Sequence, residues 1–253
     1  MDPSSITGWL SQLSGARLRE LFAEGAERAS GWVRILAIEG IAQAQVCYGR
    51  MLLEGTGLLK NKHDALFWFK RAASQGDLDG FNMVGRCHEN GWGCEIDVGL
   101  AAAYYHTAAD AGHAWAQYNL GHLYLDGIAV GRDAHKAFRY YQSAAAQQHS
   151  RAMNLAGRCC EDGWGTPRDL AQAAHWYRRS AVGGYFRGQY NWASVLLACG
   201  CAGEAALWFE RAASSGTPAV RDAVLQVAAL PRSPEPIAAL MVRLRSRCEA
   251  PSA

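Results

Sequence analysis

The sequence predicts an all-α fold, an α-solenoid (an α-α superhelix) of stacked helix-turn-helix repeats. Three observations predict it: an internal period of 36 residues, apolar residues at helical spacing in two segments of each period, and an Ala-rich composition with only seven prolines among 253 residues. Half of the residues are hydrophobic, so the chain is able to bury a sizeable core.

The period is most visible in two octapeptides, RCHENGWG at 86–93 and RCCEDGWG at 158–165, which lie 72 residues apart. Half of that offset aligns three columns of residues at intervals of 36: Gly49, Gly85, Gly121, Gly157; Gly55, Gly91, Gly127, Gly163; and the aromatics Trp68, Tyr104, Tyr140, Trp176. The repeats predicted in this way are 41–76, 77–112, 113–148 and 149–184, followed by a shorter fifth, 185–216, which keeps Trp208.

The two ends of the chain are expected to cap this array. Residues 1–40 are predicted to form an N-terminal helical cap that includes a degenerate half repeat around Ala29, Trp32 and Ala37. Residues 217–253 are predicted to form C-terminal capping helices with a short tail. Atypical ends are expected because a terminal repeat has one face without a neighbour.

Each repeat is predicted to contain two helices, such as AQYNLGHLYLDG from Ala116 and AHKAFRYYQSAAAQ from Ala134. A mid-helix glycine costs about 1 kcal/mol relative to Ala, so we expect the Gly49 column to lie where an aromatic of the paired helix approaches. The Gly55 column is expected to end the first helix in a left-handed conformation. The aromatics expected to be buried are Trp68, Tyr104, Tyr140, Trp176 and Trp208.

This pattern resembles the Sel1-like repeat (SLR) family, a relative of the tetratricopeptide repeats. Repeat 113–148 matches the family pattern at Ala116, Leu120, Gly121, Tyr124, Gly127, Asp133, Lys136, Ala137, Tyr140, Tyr141, Ala144 and Ala145. It departs from the pattern at Ala129 and Gln148, where the family has glycine. The resemblance implies a right-handed α-solenoid that acts as an adaptor or scaffold, and it does not name a partner.

Catalytic, cofactor-binding and metal-binding residues are not predicted. Two Cys/His groups, Cys87 with His88 and Cys94, and Cys159 with Cys160 and His175, lack the spacing of a paired CxxC metal site. We interpret these cysteines as structural, and Cys199 and Cys201 as the exposed thiols. The net charge of +2 without a basic block argues against nucleic acid. The sequence predicts no export signal and no membrane insertion, and we expect a bacterial, cytoplasmic monomer.

A polar surface along the first helices is the candidate binding site. Residues three, four and seven positions apart, such as Arg50, Glu54 and Gln43, share one helix face, and stacking would align them. They form either a solvated face with pairs such as Arg50–Glu54, or a concave groove for a peptide or partner protein. The candidate partner-binding residues are Arg50, Arg86, Asn119, His122, Arg151, Asn154, Arg158, Arg187, Asn191, Trp92, Trp115 and Trp164. Alternatives on the same fold are a hydrolase of envelope material or an envelope-assembly factor.

Overall fold

A computed structural model describes residues 25–230, 233–240 and 244, and the regular elements in that part of the chain are helices. They are α1 Ala26–Ile38, α2 Ala42–Glu54, α3 Lys62–Ala73, α4 Leu78–Asn90, α5 Val98–Asp110, α6 Ala114–Asp126, α7 Ala134–Ala146, α8 Ser150–Asp162, α9 Leu170–Val182, α10 Phe186–Ala198, α11 Ala202–Ser215 and α12 Pro218–Ala228. Residues 235–240 are also helical. Parts of both predicted caps, 1–24, 231–232, 241–243 and 245–253, lie outside the described residues.

The chain divides into two compact units, with the division inside α6. The first unit comprises the chain up to Leu120 together with Ile128–Val130. The second unit comprises Gly121–Gly127 together with the chain from Gly131. In the first unit, each helix from α1 to α5 packs against the next one along the chain. In the second unit, α7 to α12 pack in the same way. The predicted all-α solenoid class is confirmed.

Both ends of the helix pairs are fixed by local chemistry that recurs every 36 residues. The second helices begin after Asn61, Asp97, Asp133 and Asp169, whose side-chain oxygens accept backbone N–H bonds of 3.1, 2.8, 2.9 and 2.9 Å. First helices end at a left-handed glycine, with φ of 78° at Gly55, 66° at Gly91 and 76° at Gly163. The expected role of the loop glycines is therefore confirmed.

The glycine column packs against an aromatic ring, but the ring is not the one expected. A Cβ on Gly85 would lie 2.6 Å from Tyr105, and one on Gly157 would lie 2.7 Å from Tyr177. The buried rings are the second members of the aromatic pairs, none more than 1% exposed: Phe69, Tyr105, Tyr141, Tyr177 and Phe209. The expectation of burial for Trp68, Tyr104, Tyr140, Trp176 and Trp208 was wrong, because these first members are only half-buried.

Consecutive helical positions point about 100° apart, which explains this difference. Only the second ring of each pair is directed at the glycine of the partner helix. The first ring lies beside the helix seam, where Trp68 contacts Tyr48 edge-on at a centroid distance of 5.6 Å. The sequence showed that an aromatic pair was needed but not which ring points inward.

Two non-glycine residues keep the left-handed backbone of the glycines that they replace. Ala129 has φ 60° and Gln148 has φ 63°. The equivalents of Gln148 in other repeats are Gly76, Gly112 and Gly184, with φ between 82° and 91°. The turn geometry is thus conserved within the chain despite these departures, and it places a side chain in a conformation that costs free energy.

Buried glutamines, which sequence reasoning missed, cap the preceding helix in alternate repeats. Gln45 donates to the Ala37 carbonyl at 3.1 Å, and Gln117 donates to the Ala109 carbonyl at 3.2 Å. Each bond adds a second donor to a carbonyl near the end of α1 or α5, since these carbonyls also accept from the backbone N–H of Gly40 at 3.2 Å and Gly112 at 2.9 Å. The signal was present, since Gln45, Gln117 and Gln189 lie 72 residues apart.

Candidate functional site

A cleft of about 450 Å³ lies on the first unit, where the ends of several elements converge. It is lined by Arg50, Leu53, Glu54, Lys62, Asn82, Met83, Arg86, Trp92 and Trp115. Helices α2 and α4 contribute most of these side chains, the loop after α4 contributes Trp92, and the first turn of α6 contributes Trp115. Four of the twelve predicted site residues, Arg50, Arg86, Trp92 and Trp115, therefore share one cleft.

The arginine column and the loop tryptophans form one feature. The Arg86 guanidinium carbon lies 5.0 Å from the centre of the Trp92 ring, and Arg158 lies 4.9 Å from Trp164. Each pair is a cation–π contact six residues apart within one octapeptide. In each pair the arginine lies on the first helix and the tryptophan in the loop that follows it, so the contact joins the helix face to the loop.

The other octapeptide positions serve the fold. Glu89 accepts a hydrogen bond of 2.7 Å from the buried Tyr105 hydroxyl, and Glu161 accepts one of 2.5 Å from Tyr177. Burial and the neighbouring carboxylate raise the pKa of both tyrosines, so each phenol stays protonated and donates.

The first repeat, which lacks the octapeptide, has neither member of this bond. Leu53 stands where the octapeptides have Glu, and it packs against the core cluster that contains Phe69, a ring with no hydroxyl to satisfy. The second octapeptide glycine also has a packing role, since a Cβ on Gly93 or Gly165 would overlap the carbonyl of Lys62 or Ala134. The positions of each octapeptide therefore differ in role. The Arg–Trp pair lies at the surface, whereas the Glu and the second Gly contribute to the packing of the repeat.

The asparagines of the predicted surface bond to one another. Asn119 donates to Asn82 at 2.9 Å, and Asn191 donates to Asn154 at 2.8 Å. Asn82 and Asn154 are buried, so these amides link first helices of successive repeats. Within the predicted site, Asn119, Asn154 and Asn191 consequently have structural partners, and Asn154 offers little surface to a ligand.

Arg50 is also engaged within the chain, although not as predicted. Its Nη2 lies 3.2 Å from Asp79 Oδ1, and that oxygen is 3.4 Å from His113 Nε2. No ion pair joins Arg50 to Glu54 in the described part of the chain, so the partner is on the next first helix and not one turn away. The hydrogen bond from His113, followed by the charge of Arg50, lowers the pKa of Asp79.

The remaining predicted residues lie in the second unit. Arg151, Arg158 and Arg187 are exposed there, while His122 is half-buried. Arg151 lies 5.7 Å from the Tyr185 ring, Arg187 lies 6.0 Å from Phe186, and His122 contacts Tyr141 edge-on at 5.7 Å. Cationic side chains are therefore placed beside aromatic rings in this unit as well.

The cysteines differ sharply in environment. Burial raises the pKa of the Cys87 and Cys159 thiols to about 12, which keeps them protonated. Cys94 Sγ lies 3.5 Å from His88 Nδ1, and Cys160 donates to Gln172 at 3.0 Å. The expected exposure of Cys199 and Cys201 is confirmed.

The described residues contain neither a metal-binding cluster nor a membrane-spanning helix. Within 25–230, 233–240 and 244, no group of three metal-ligating side chains is close enough to hold an ion. Over the same residues, no helix combines the length and apolar character needed to cross a membrane.

Solved structures with related folds come from several bacteria. A Sel1 repeat protein from Oxalobacter formigenes is 22% identical, with a TM-score of 0.79 over 92% of this chain and 97% of that one. The protective antigen c5321 of uropathogenic Escherichia coli, which displays an SLR fold, is 23% identical with a TM-score of 0.67, and the match covers 89% of this chain and 50% of that one. Immunity protein Pa5087 from Pseudomonas aeruginosa is 16% identical with a TM-score of 0.55, over 81% of this chain and 80% of that one. These likenesses show the fold.

The Sel1 repeat itself is found five times along the sequence. The matched segments are 41–77, 82–113, 116–149, 150–185 and 202–217, more than half of the chain. Proteins with Sel1 repeats are generally scaffolds for protein–protein interaction and typically non-catalytic. With this match and the stacked helix pairs together, the chain belongs to the Sel1 repeat family.

Proposed function

We propose that this protein is a non-enzymatic scaffold that binds a peptide or a partner protein on the groove face of its first helices. The observation that carries the proposal is the cleft in the first unit, where Arg86, Trp92 and Trp115 meet. Trp and Arg are the residues most enriched among binding hot spots. A cleft between helices is also a usual place for a recognition site in helical proteins.

The structure supports a narrower set of contact residues than the sequence did. Arg86 and Arg158, each beside its tryptophan, form no ion pair with a carboxylate within the part of the chain that the structure describes, whereas Arg50 is paired with Asp79. Asn119 donates a hydrogen bond to Asn82, and Asn191 donates one to Asn154. We therefore assign the main contacts to the two Arg–Trp pairs and Trp115, and supporting contacts to Arg50, His122, Arg151 and Arg187.

The experiment is affinity capture of partners by the tagged full chain in its native host, read out by mass spectrometry. The test variant is Arg86→Glu with Arg158→Glu. A matched control is Arg71→Glu with Arg179→Glu, because these arginines also lie against tryptophans, Trp68 at 5.7 Å and Trp176 at 4.8 Å, but on second helices.

The partner captured by the unaltered protein is expected to be lost from the test variant and kept by the control. The helical circular dichroism signal and the melting temperature should stay close to those of the unaltered protein in both variants, because exposed substitutions change stability by less than about 0.5 kcal/mol. Equal capture by both variants would place recognition elsewhere.

We also propose that the protein is a monomer in a bacterial cytoplasm. The exposed thiols of Cys199 and Cys201 suit a reducing compartment, since an oxidising one favours disulfide formation. Light scattering during gel filtration should give a mass near 27.5 kDa. A multiple of that mass would contradict the monomer, and recovery in another cell fraction would contradict the location.

A further inference from the structure

We propose that the cleft of the first unit binds an acidic peptide segment, with a carboxylate on Arg86 and an adjacent apolar side chain against Trp92 and Trp115. This inference rests on the proposed function and adds the chemistry of the partner. Four observations carry it: the charge of the cleft, the placement of Arg86, the apolar part of the lining, and the repetition of the Arg–Trp pair in the second unit.

The charge of the cleft favours anions. Among the lining side chains Arg50, Lys62 and Arg86 are cationic, and Glu54 is the acidic one. Asp79 neutralises part of this charge through Arg50, at 3.2 Å, so the excess is concentrated on Lys62 and Arg86. Complementary charge steers association and disfavours partners of the same sign. A basic peptide is accordingly the wrong occupant for this cleft.

Arg86 is held in place before any ligand arrives. Its guanidinium lies over Trp92, and Nη1 is 3.8 Å from the sulfur of Met83. The N–H donors of a guanidinium lie in its plane, so a group that rests against an aromatic face can still bind a carboxylate at its edge through two parallel bonds. Less conformational freedom remains to be lost on binding than for an arginine extended into water.

Part of the cleft lining is apolar. Trp115 is 41% exposed, and Leu53 and the buried Met83 also line the cleft. Aromatic residues and Met are enriched at protein interfaces because they bury a large area. A cleft of about 450 Å³ has room for a few side chains of a peptide, and it requires at least one of them to be apolar.

The second unit repeats the pair in the same octapeptide. Arg158 lies 4.9 Å from Trp164 and is exposed. The first and third repeats lack the tryptophan, with Thr56 and Ile128 in its place. A purely structural loop residue would suit every repeat, whereas the Arg–Trp pair is confined to two of them. We assign the same carboxylate chemistry to both pairs, which makes them two subsites for acidic residues.

The test is a selection from a random-sequence peptide library displayed on phage, performed on the full chain. Parallel selections use the double variant Arg86→Glu with Arg158→Glu and the control Arg71→Glu with Arg179→Glu. The unaltered protein and the control are expected to recover peptides in which Asp or Glu adjoins an aromatic or aliphatic residue. The double variant is expected to lose that preference.

The peptide recovered most often is then labelled with fluorescein and its affinity measured by anisotropy. Affinity should fall at least about tenfold for the double variant, as expected when a buried charge contact is reversed. It should stay within about twofold for the control. Arg86→Lys keeps the charge but not the planar fork, and it should give an intermediate loss. Raising the salt concentration should weaken binding to the unaltered protein.

Two groups of results would overturn the inference. Recovery of basic or uncharged peptides by the unaltered protein, or the same peptides by the double variant, contradicts the acidic ligand. Recovery of no peptide at all contradicts it too; if host capture still yields a partner that depends on Arg86 and Arg158, the proposed function stands and only the acidic peptide is wrong. If neither experiment shows dependence on these arginines, both proposals fail.

Discussion

At the scale of single residues, direction matters more than identity. Phe69, Tyr105, Tyr141, Tyr177 and Phe209 are core residues because each ring fills the space left by a glycine or small residue on the paired helix. The aromatic ring one position earlier has similar chemistry but is only half-buried. We therefore expect the second aromatic of each pair to contribute more to the free energy of unfolding than the first.

Truncating Tyr105 tests this assignment. Tyr105→Ala is expected to lower the free energy of unfolding by about 3–5 kcal/mol, because it empties a fully buried ring site and leaves Glu89 without its hydrogen bond. Tyr104→Ala should cost clearly less, since that ring is half-buried. Urea unfolding at pH 7 measures both. A larger loss for the Tyr104 variant would restore the register expected from the sequence.

The Asp79 carboxylate links pH to stability. Its pKa is lowered in the folded chain by His113 and Arg50, so its contribution is present above the unfolded pKa of about 3.9 and is lost as the pH falls through the folded value. Asp79→Asn should lower the free energy of unfolding at pH 7 by less than about 1 kcal/mol, because the pair is half-exposed.

The same variant should differ progressively less from the unaltered protein as the pH drops below about 4. Urea unfolding at a series of pH values gives the comparison. A difference that stays constant down to pH 3 would show that packing, and not the ion pair, accounts for the loss.

At the scale of helices and turns, helix ends determine the repeat. In the first four repeats, side-chain caps at Asn61, Asp97, Asp133 and Asp169 start the second helix, and a left-handed glycine stops the first helix. These devices act within a few residues, so they are visible in the sequence. The exceptions, Ala129 and Gln148, show that the turn keeps its geometry even where the residue is unfavourable.

Replacing Gln148 with glycine should relieve this strain. Gln148→Gly is expected to raise the free energy of unfolding by about 0.5–1 kcal/mol, since the left-handed conformation costs a side-chain residue more than glycine loses in chain entropy. Its neighbour Gln147 has φ −89°, so Gln147→Gly serves as a control that should not stabilise. Thermal unfolding compares them, and a neutral or destabilising effect at position 148 would refute the strain.

At the scale of the whole molecule, a period of two repeats lies over the period of one. Octapeptides, asparagine bonds and buried glutamines each recur at 72 residues. Each of the two compact units therefore holds one Arg–Trp pair and one Asn–Asn bond. Under the carboxylate chemistry that we propose, each unit would offer one subsite for an acidic stretch of a partner.

We expect the fold to need neither metal nor disulfide. A cysteine binds a metal ion as its thiolate, and burial raises the pKa of Cys87 and Cys159 to about 12, which opposes their ionisation. Chelator and reductant, added separately, should leave the melting temperature unchanged. Stoichiometric zinc in protein purified without added metal, or a marked fall in melting temperature with reductant, would contradict this expectation.

The sequence by itself determined what is local and periodic. The 36-residue repeat, the helix pairs, the glycine turns and the close approach of an aromatic to a mid-helix glycine all follow from spacing and from the conformational range of single residues. The sequence also identified four of the nine residues that line the cleft, since Arg50, Arg86, Trp92 and Trp115 were predicted as contacts.

Only the tertiary structure decided which of these residues act together. Arg86 and Trp92 share one pair, Asn154 is buried against Asn191, and Arg50 binds Asp79 instead of Glu54. A helical period specifies the face on which a side chain lies, but neighbouring positions differ by about 100° and the partner helix decides which of them is covered. Contacts between successive repeats therefore depend on the angle at which their helices pack, and no single repeat encodes that angle.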